Sequence, residues 1–225
     1  SAADFVHHAG KAINDIINRG KTPIVAGGTG FYIDALVGRA ILPYVTPNFK
    51  LRIDLERMYP DELMHMLKKL DPRRAEELDP NNPRRIIRAI EIAQTLGKVP
   101  EQKTLGEKYD VLWIGITLAP ATLRKKIRDR LLARMKKGMV AESRRLYKEG
   151  LSYERMEELG LKYRYLAFYL RGYLTKEEML EQLEAKIWQY SRRQKTYWKR
   201  NKNIKWFSPR DRTKIYSIAK TFLGK

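Results

Sequence analysis

PIVAGGTGFYIDAL, residues 23–36, opens as an apolar run, Ile24 to Ala26, breaks into Gly27-Gly28-Thr29-Gly30 and continues in a helix-like segment. This pattern predicts a strand over 23–26, a glycine turn and a helix to about Val37. The turn has two readings. One is a tight strand-to-helix connection in which glycine supplies positive φ. The other is a ligand loop, where missing side chains let a substrate approach the backbone and the next helix offers free N–H groups. Open α/β sheets bind ligands beyond the carboxyl ends of their strands, which suits the second reading. Thr29 is the one hydrogen-bonding side chain in the turn.

Upstream, Ser1 or Asp4 can cap a helix running to about Arg19, with Phe5, Ala9, Ala12, Ile13, Ile16 and Ile17 on one face and Gly20 as its stop;. This αβα opening reads as the middle of a βαβ sheet. Pro43 and Pro47 mark a boundary, and residues 48–80 read as short proline-punctuated helices, NFKLRIDLERM, PDELMHMLKKL and DPRRAEEL;. NNPRRIIRAIEIAQTLG is a helix with Asn82 as cap, Pro83 at its first position and Gly97 at its stop;. Residues 98–110 read as a loop, DVLWIGITL as a buried strand, and Thr122 to Lys148 as one long basic helix;. Further helices are expected at 153–171, 175–200 and 211–223, with IKWFS as a short late strand.

The 225 residues carry a net charge of +20, distributed unevenly. Residues 1–119 hold 17 basic and 15 acidic side chains; residues 120–225 hold 29 and 11. Tyr163, Tyr165, Tyr190, Tyr197, Trp198 and Trp206 crowd the same basic half. Cations interleaved with rings suit phosphate contact plus base stacking, so a nucleic-acid partner is expected; a charged surface over an aromatic core is the plainer alternative. There is no cysteine, His7, His8 and His65 make no metal-ligand pattern, and no apolar run approaches membrane-spanning length, so no membrane partner is expected;. Gly20-Lys21-Thr22 mimics the end of a phosphate-binding loop, but Asp15 stands where that motif needs glycine;.

Arg84, Arg88, Glu91 and Thr95 share one stripe of their helix, which suits phosphate contacts or a solvated face;. On the basic helix, Leu123, Ile127, Leu131 and Met135 make an apolar stripe with Arg130 and Arg134 at its edge;. An inward arginine there needs an anionic partner, either a structural carboxylate or a substrate phosphate, and the helical wheel does not choose between the two arginines. In IWQYSRRQKTYWKR, Gln189, Arg193, Thr196 and Arg200 share one face and Ile187, Tyr190, Gln194 and Tyr197 another.

Taken together, SAADF, RGKTPIVAGGTGFYIDAL, DPNNPRRIIRAIEIAQTLGK, LRKKIRDRLLARMKKGMVAE and QYSRRQKTYWKR resemble the tRNA dimethylallyltransferases (tRNA isopentenyltransferases), in family order over essentially the whole chain. The resemblance implies an α/β fold: a P-loop-NTPase-like parallel sheet core with its first strands and P-loop missing, a mainly helical insertion and a helical C-terminal half. It assigns 1–42 to the catalytic core, 43–80 to an insertion contacting the anticodon stem, and 81–225 to the return to the core plus a basic tRNA-binding region. The implied reaction moves a dimethylallyl group from dimethylallyl diphosphate to the exocyclic amine of the adenosine 3′ of the anticodon, with Mg²⁺ as cofactor. Thr29 is then expected to position the amine beside Gly27 and Gly28, and Arg130 to grip the diphosphate. Arg84, Arg85, Arg88, Tyr163, Arg164, Gln189, Arg192, Arg193, Gln194, Thr196, Tyr197, Trp198 and Lys199 fall in segments expected to contact tRNA. A cytoplasmic monomer is expected.

The chain departs from the family at Lys162-Tyr163-Arg164, where Gly-Tyr-Lys/Arg is usual, and at Thr196-Tyr197-Trp198, usually Thr-Trp-Phe. The family's opening phosphate loop, its aspartate base and the main Mg²⁺ ligands are expected upstream of SAADF, so these residues alone are expected to bind tRNA without catalysing transfer. A non-catalytic tRNA-binding module derived from the enzyme is the alternative. A free-adenylate isopentenyltransferase fits less well, because a mononucleotide needs no such basic aromatic surface.

Overall fold

The computed structural model describes residues 1–101 and 106–224. It divides into two compact units, Ser1–Asp110 and Val111–Lys225. Part of the loop expected over 98–110, residues 102–105, lies outside the described residues.

In the first unit, helix α1 (Ala2–Asn18) starts in a capping box in which the Ser1 hydroxyl accepts the Asp4 N–H;. It gives way at Gly20, whose φ of +66° is the left-handed conformation that ends helices;. The strand expected over 23–26 does not form: Ile24 is 88% exposed, and no described residue joins the segment in a ladder. Apolar side chains favour a strand only where a neighbour supplies its hydrogen bonds. Helix α2 (Gly30–Leu36) follows, packing against α1 with the Phe5 and Tyr32 rings 5.3 Å apart. None of Gly27, Gly28 and Gly30 has a positive φ, and a Cβ on Gly27 would meet only Ile33 Cδ1, at 3.8 Å. The positive φ that the tight-turn reading invokes is therefore not used here.

The rest of this unit is helical. Helices α3 (Phe49–Leu55), α4 (Pro60–Leu70), α5 (Pro72–Glu77) and α6 (Pro83–Leu96) begin where the capping and proline signals place them. The side chains of Asn48, Asp71 and Asn82 each accept an N–H of the first turn;. Leu63, Leu67, Ile86 and Ile90 are fully buried where α4 crosses α6. Buried Asp71 also accepts the Val99 N–H at 2.8 Å, tying the chain after α6 back to α5.

The second unit holds two short parallel strands, β1 (Ile114–Ile116) and β2 (Lys205–Phe207), with Gly115 opposite Trp206. The buried strand expected from DVLWIGITL is shorter and more open: Ile116 is 54% exposed, because among the described residues β1 has one neighbouring strand. The long basic helix is broken by Gly138, at φ +90°, into α7 (Pro120–Lys136) and α8 (Met139–Lys148). Gly160, at φ +120°, likewise splits 153–171 into α9 (Tyr153–Glu158) and α10 (Leu161–Leu170). Helices α11 (Lys176–Trp198) and α12 (Arg212–Phe222) complete the unit. Leu131, Met139, Leu166, Met179 and Leu183 form its core, contributed by α7, α8, α10 and α11.

Gly115 has a packing role. A Cβ there would lie 2.5 Å from Trp206 Cε3 and 2.7 Å from Ile204 Cγ2, inside any tolerable contact. Gly115→Ala is expected to expel the Trp206 ring and destabilise the second unit by about 1–3 kcal/mol. Thermal unfolding followed by tryptophan fluorescence checks this.

Candidate nucleic-acid interface

The residues singled out by sequence fall in both units. In the first, Thr29 is the exposed N-cap of α2; its carbonyl accepts the Tyr32 and Ile33 N–H groups while its hydroxyl makes no capping bond. Thr29 thus lies between half-buried Gly28 and buried Gly30, two residues after exposed Gly27, with a hydroxyl that the cap does not use. Arg84 and Arg85 project from the first turn of α6, both exposed and without an ion pair among the described residues.

Arg88 is engaged differently. Its Nη1 donates to Glu91 and its Nη2 donates to the Val45 carbonyl at 2.9 Å. Glu91, assigned by its stripe to a phosphate-binding or solvated face, is buried. Its carboxylate also accepts Arg52 Nε at 3.1 Å, Arg52 Nη2 at 2.8 Å and the Asn48 N–H at 2.5 Å. Burial alone would raise the Glu91 pKa; the donors Arg52, Asn48 and Arg88 outweigh it and hold the carboxyl below its usual 4.5;. Sequence reading missed this hub. Its signal was an acid flanked by Ile90 and Ile92, which demands a cation, but nothing in the pattern points 39 residues back to Arg52.

In the second unit, Arg130 is exposed on α7 with no hydrogen bond or ion pair from any described residue. Arg134, one turn on, lies within electrostatic reach of Glu142. Glu142 accepts the Tyr163 hydroxyl at 2.8 Å and Lys162 Nζ at 3.1 Å. Those two bonds, Tyr163 first, hold the Glu142 carboxyl below its usual value. The Lys162-Tyr163-Arg164 departure therefore lies within the first turn of α10, and the backbone turn is made by Gly160. Arg164 Nε donates to the Glu157 carbonyl at 3.1 Å.

The C-terminal half of α11 carries the remaining residues. Gln189, Arg192, Arg193, Thr196 and Lys199 are exposed, while Gln194, Tyr197 and Trp198 are half-buried. The Arg200 guanidinium sits 4.1 Å from the Tyr197 ring centre, and Arg193 6.0 Å from that of Tyr190;. Trp198 packs on Trp113 at 5.6 Å, so it anchors α11 beside β1, whereas Tyr190, 40% exposed, is open to a base. The result is a helix face of cations stacked on rings, able to contact phosphates and bases together.

The profile of the IPP transferase family matches residues 1–201. The chain belongs to the IPP transferase family. It is 37% identical over 218 residues to the tRNA dimethylallyltransferase of Anoxybacillus flavithermus, covering 95% of this chain and 70% of that protein. Among solved structures it resembles the tRNA isopentenylpyrophosphate transferase of Bacillus halodurans, with TM-score 0.67 and 29% identity over all of this chain and 73% of that one. It also matches a eukaryotic dimethylallyltransferase acting on tRNA, with TM-score 0.79 and 23% identity over all of this chain and 62% of that one, a likeness of fold. This IPP transferase chain contains no helix, among the described residues, long and apolar enough to cross a membrane.

The lowered carboxyls set the acid stability of this family member. Asp71 and Glu91 both stay ionised in the fold below their ordinary values of 3.8 and 4.5. For Asp71 burial is again the opposing influence, overcome by the Arg74 and Val99 N–H groups and by Arg73. Groups whose pKa is lower folded than unfolded stabilise above the unfolded value, and that stabilisation is lost as pH falls through the folded one. The thermal midpoint is therefore expected to hold near neutrality and fall below pH 4.5. Glu91→Gln should lower it at neutral pH and flatten the acid slope; a midpoint measured across pH checks both.

Proposed function

We propose that this chain serves tRNA prenylation: transfer of a dimethylallyl group from dimethylallyl diphosphate to the exocyclic amine of the adenosine 3′ of the anticodon. The observation that carries this reading is the family match over residues 1–201. In the reaction a bond forms between the amine nitrogen and the allylic carbon as the carbon–oxygen bond to the diphosphate breaks. The diphosphate leaves with the electron pair, and a base takes the amine proton.

Thr29, with Gly27 and Gly28, receives the target adenine and orients its amine; the open backbone and uncommitted hydroxyl support that role. Arg130, exposed and without an ion pair among the described residues, meets the departing diphosphate. Residues 43–80 grip the anticodon stem, and the cation-and-ring face of α11, with Tyr163 and Arg164, holds the loop. The P-loop-NTPase-like core belongs to this proposal, as do a cytoplasmic location and a monomeric state. Among the described residues no three His, Cys, Asp or Glu side chains are grouped to hold a metal ion. The described residues do not by themselves group such a ligand set for Mg²⁺, and no step is assigned to that ion.

One arginine is a small counter-charge for a diphosphate, and the sequence holds no G-x-x-x-x-G-K-[ST] motif;. The chain by itself is therefore expected to bind an anticodon stem-loop without turning over. Product formation with dimethylallyl diphosphate, with and without a loop-bearing segment supplied in trans, tests this; multiple turnover by the chain alone would overturn the proposed division of labour. In the active mixture Arg130→Ala should cost about 2–4 kcal/mol in kcat/KM and Arg134→Ala less. Thr29→Ala should lower kcat more than RNA affinity, and Thr29→Ser should retain most of the rate.

Binding should also weaken steeply with salt, because each phosphate neutralised releases counterions. A flat log Kd between low and moderate salt would refute RNA recognition by this basic surface.

A further inference from the structure

The Glu91 hub contains more positive charge than its fold requires. One buried carboxylate is neutralised by one guanidinium, yet two converge on it, Arg52 from α3 and Arg88 from α6. The cluster is left with a net charge of +1. The carboxylate is 1% exposed, while the arginine side chains are 31% and 34% exposed. The negative charge is thus inside and the positive charge faces solvent.

Each guanidinium also keeps donors in reserve. Arg52 uses Nε and Nη2 on Glu91, leaving Nη1 uncommitted. Arg88 uses Nη1 on Glu91 and Nη2 on the Val45 carbonyl, leaving Nε. No other carboxylate among the described residues is within ion-pair distance of either. A mobile surface arginine loses side-chain freedom when it grips a ligand; two already held by a buried acid lose little. Forked donors in fixed orientation match the oxygens of a phosphate. Along α6, exposed Arg84 and Arg85 stand four and three residues before Arg88, on adjoining positions of the helix surface;.

We propose that Arg52 and Arg88 form a preset clamp for one backbone phosphate of an RNA stem, with Glu91 as the positioning residue that holds the two guanidiniums side by side. This rests on the tRNA-binding reading above and adds Arg52 and Glu91, which that reading does not include.

The test measures binding of the intact chain to an anticodon stem-loop RNA by fluorescence anisotropy across a salt series. Thermal unfolding of each variant confirms that it is folded. Arg52→Gln and Arg88→Gln should each reduce the slope of log Kd against log salt by about one and weaken matched and scrambled stems alike. Because both act on one phosphate, the double variant should lose less affinity than the product of the single losses. Folded Arg52→Gln with the parent slope and affinity overturns the clamp while leaving tRNA binding intact; a parent chain with no salt-sensitive binding overturns both. If Arg52→Gln fails to fold, Arg52→Lys preserves the pairing with Glu91 but not the fork. It should keep the slope and lose affinity, and unchanged affinity overturns the proposal.

Discussion

The buried carboxylate of Glu91 is the constraint on which the first unit turns. An ionised acid in an apolar setting is costly unless it is paired and hydrogen-bonded, and Glu91 meets that demand with three donors from three places;. One comes from its own helix, one from α3, and one from the backbone at the α3 cap. The proline-bounded helices of residues 48–80 are short, and α3 in particular, with seven residues, has little cohesion of its own;. Its orientation on α6 is fixed by the acid and by Leu55 within the apolar cluster. Breaking such a pair costs more than the pair contributes to stability, because the remaining charge cannot return to water without unfolding.

Much of the helical framework was legible because its signals are local. Asn82-Pro83 and Gly97 bracket α6 through a side-chain acceptor, a fixed φ and a left-handed stop, each of which acts within a few residues;. The two long helices read across Gly138 and Gly160 failed for the complementary reason. An amphipathic pattern can continue past a glycine, and whether that glycine adopts positive φ is decided by packing on either side;. The 23–26 segment fails in another way. Its β-branched residues satisfy a strand's preference, but a strand is a property of a pair;. Likewise Arg52 and Glu91 could not be matched by spacing, since 39 residues separate them.

The candidate site shows the same division. Exposed arginines and the ring-bearing face of α11 were readable from periodicity, because a helix surface depends on spacing alone. What periodicity could not resolve was which members were already spoken for. Trp198 sits on Trp113, Tyr163 on Glu142, and Arg164 on a backbone carbonyl, while Arg84, Arg85, Arg130 and Arg192 have no carboxylate partner among the described residues. An arginine matched one-to-one by an acid adds little net charge toward a phosphate, whereas an unpaired one contributes its full charge, and the Arg52–Arg88–Glu91 cluster keeps the charge of one guanidinium in surplus;.

The glycines of residues 27–30 complete the argument by contrast with Gly115. At Gly115 a methyl group would collide with a tryptophan ring, so packing within the unit explains the residue. At Gly27 a methyl group would meet only an ordinary contact, and neither Gly27, Gly28 nor Gly30 uses positive φ. Glycine carries an entropic cost that a fold tolerates where sterics or strain demand it. At Gly27, where neither does, the remaining physical use is close approach by something outside the chain, and Thr29 is the nearby side chain able to hydrogen-bond it. The physical case for a ligand at this turn thus rests on Gly27, exposed and with neither a steric nor a φ requirement inside the unit, in a family whose members act on a large polyanion.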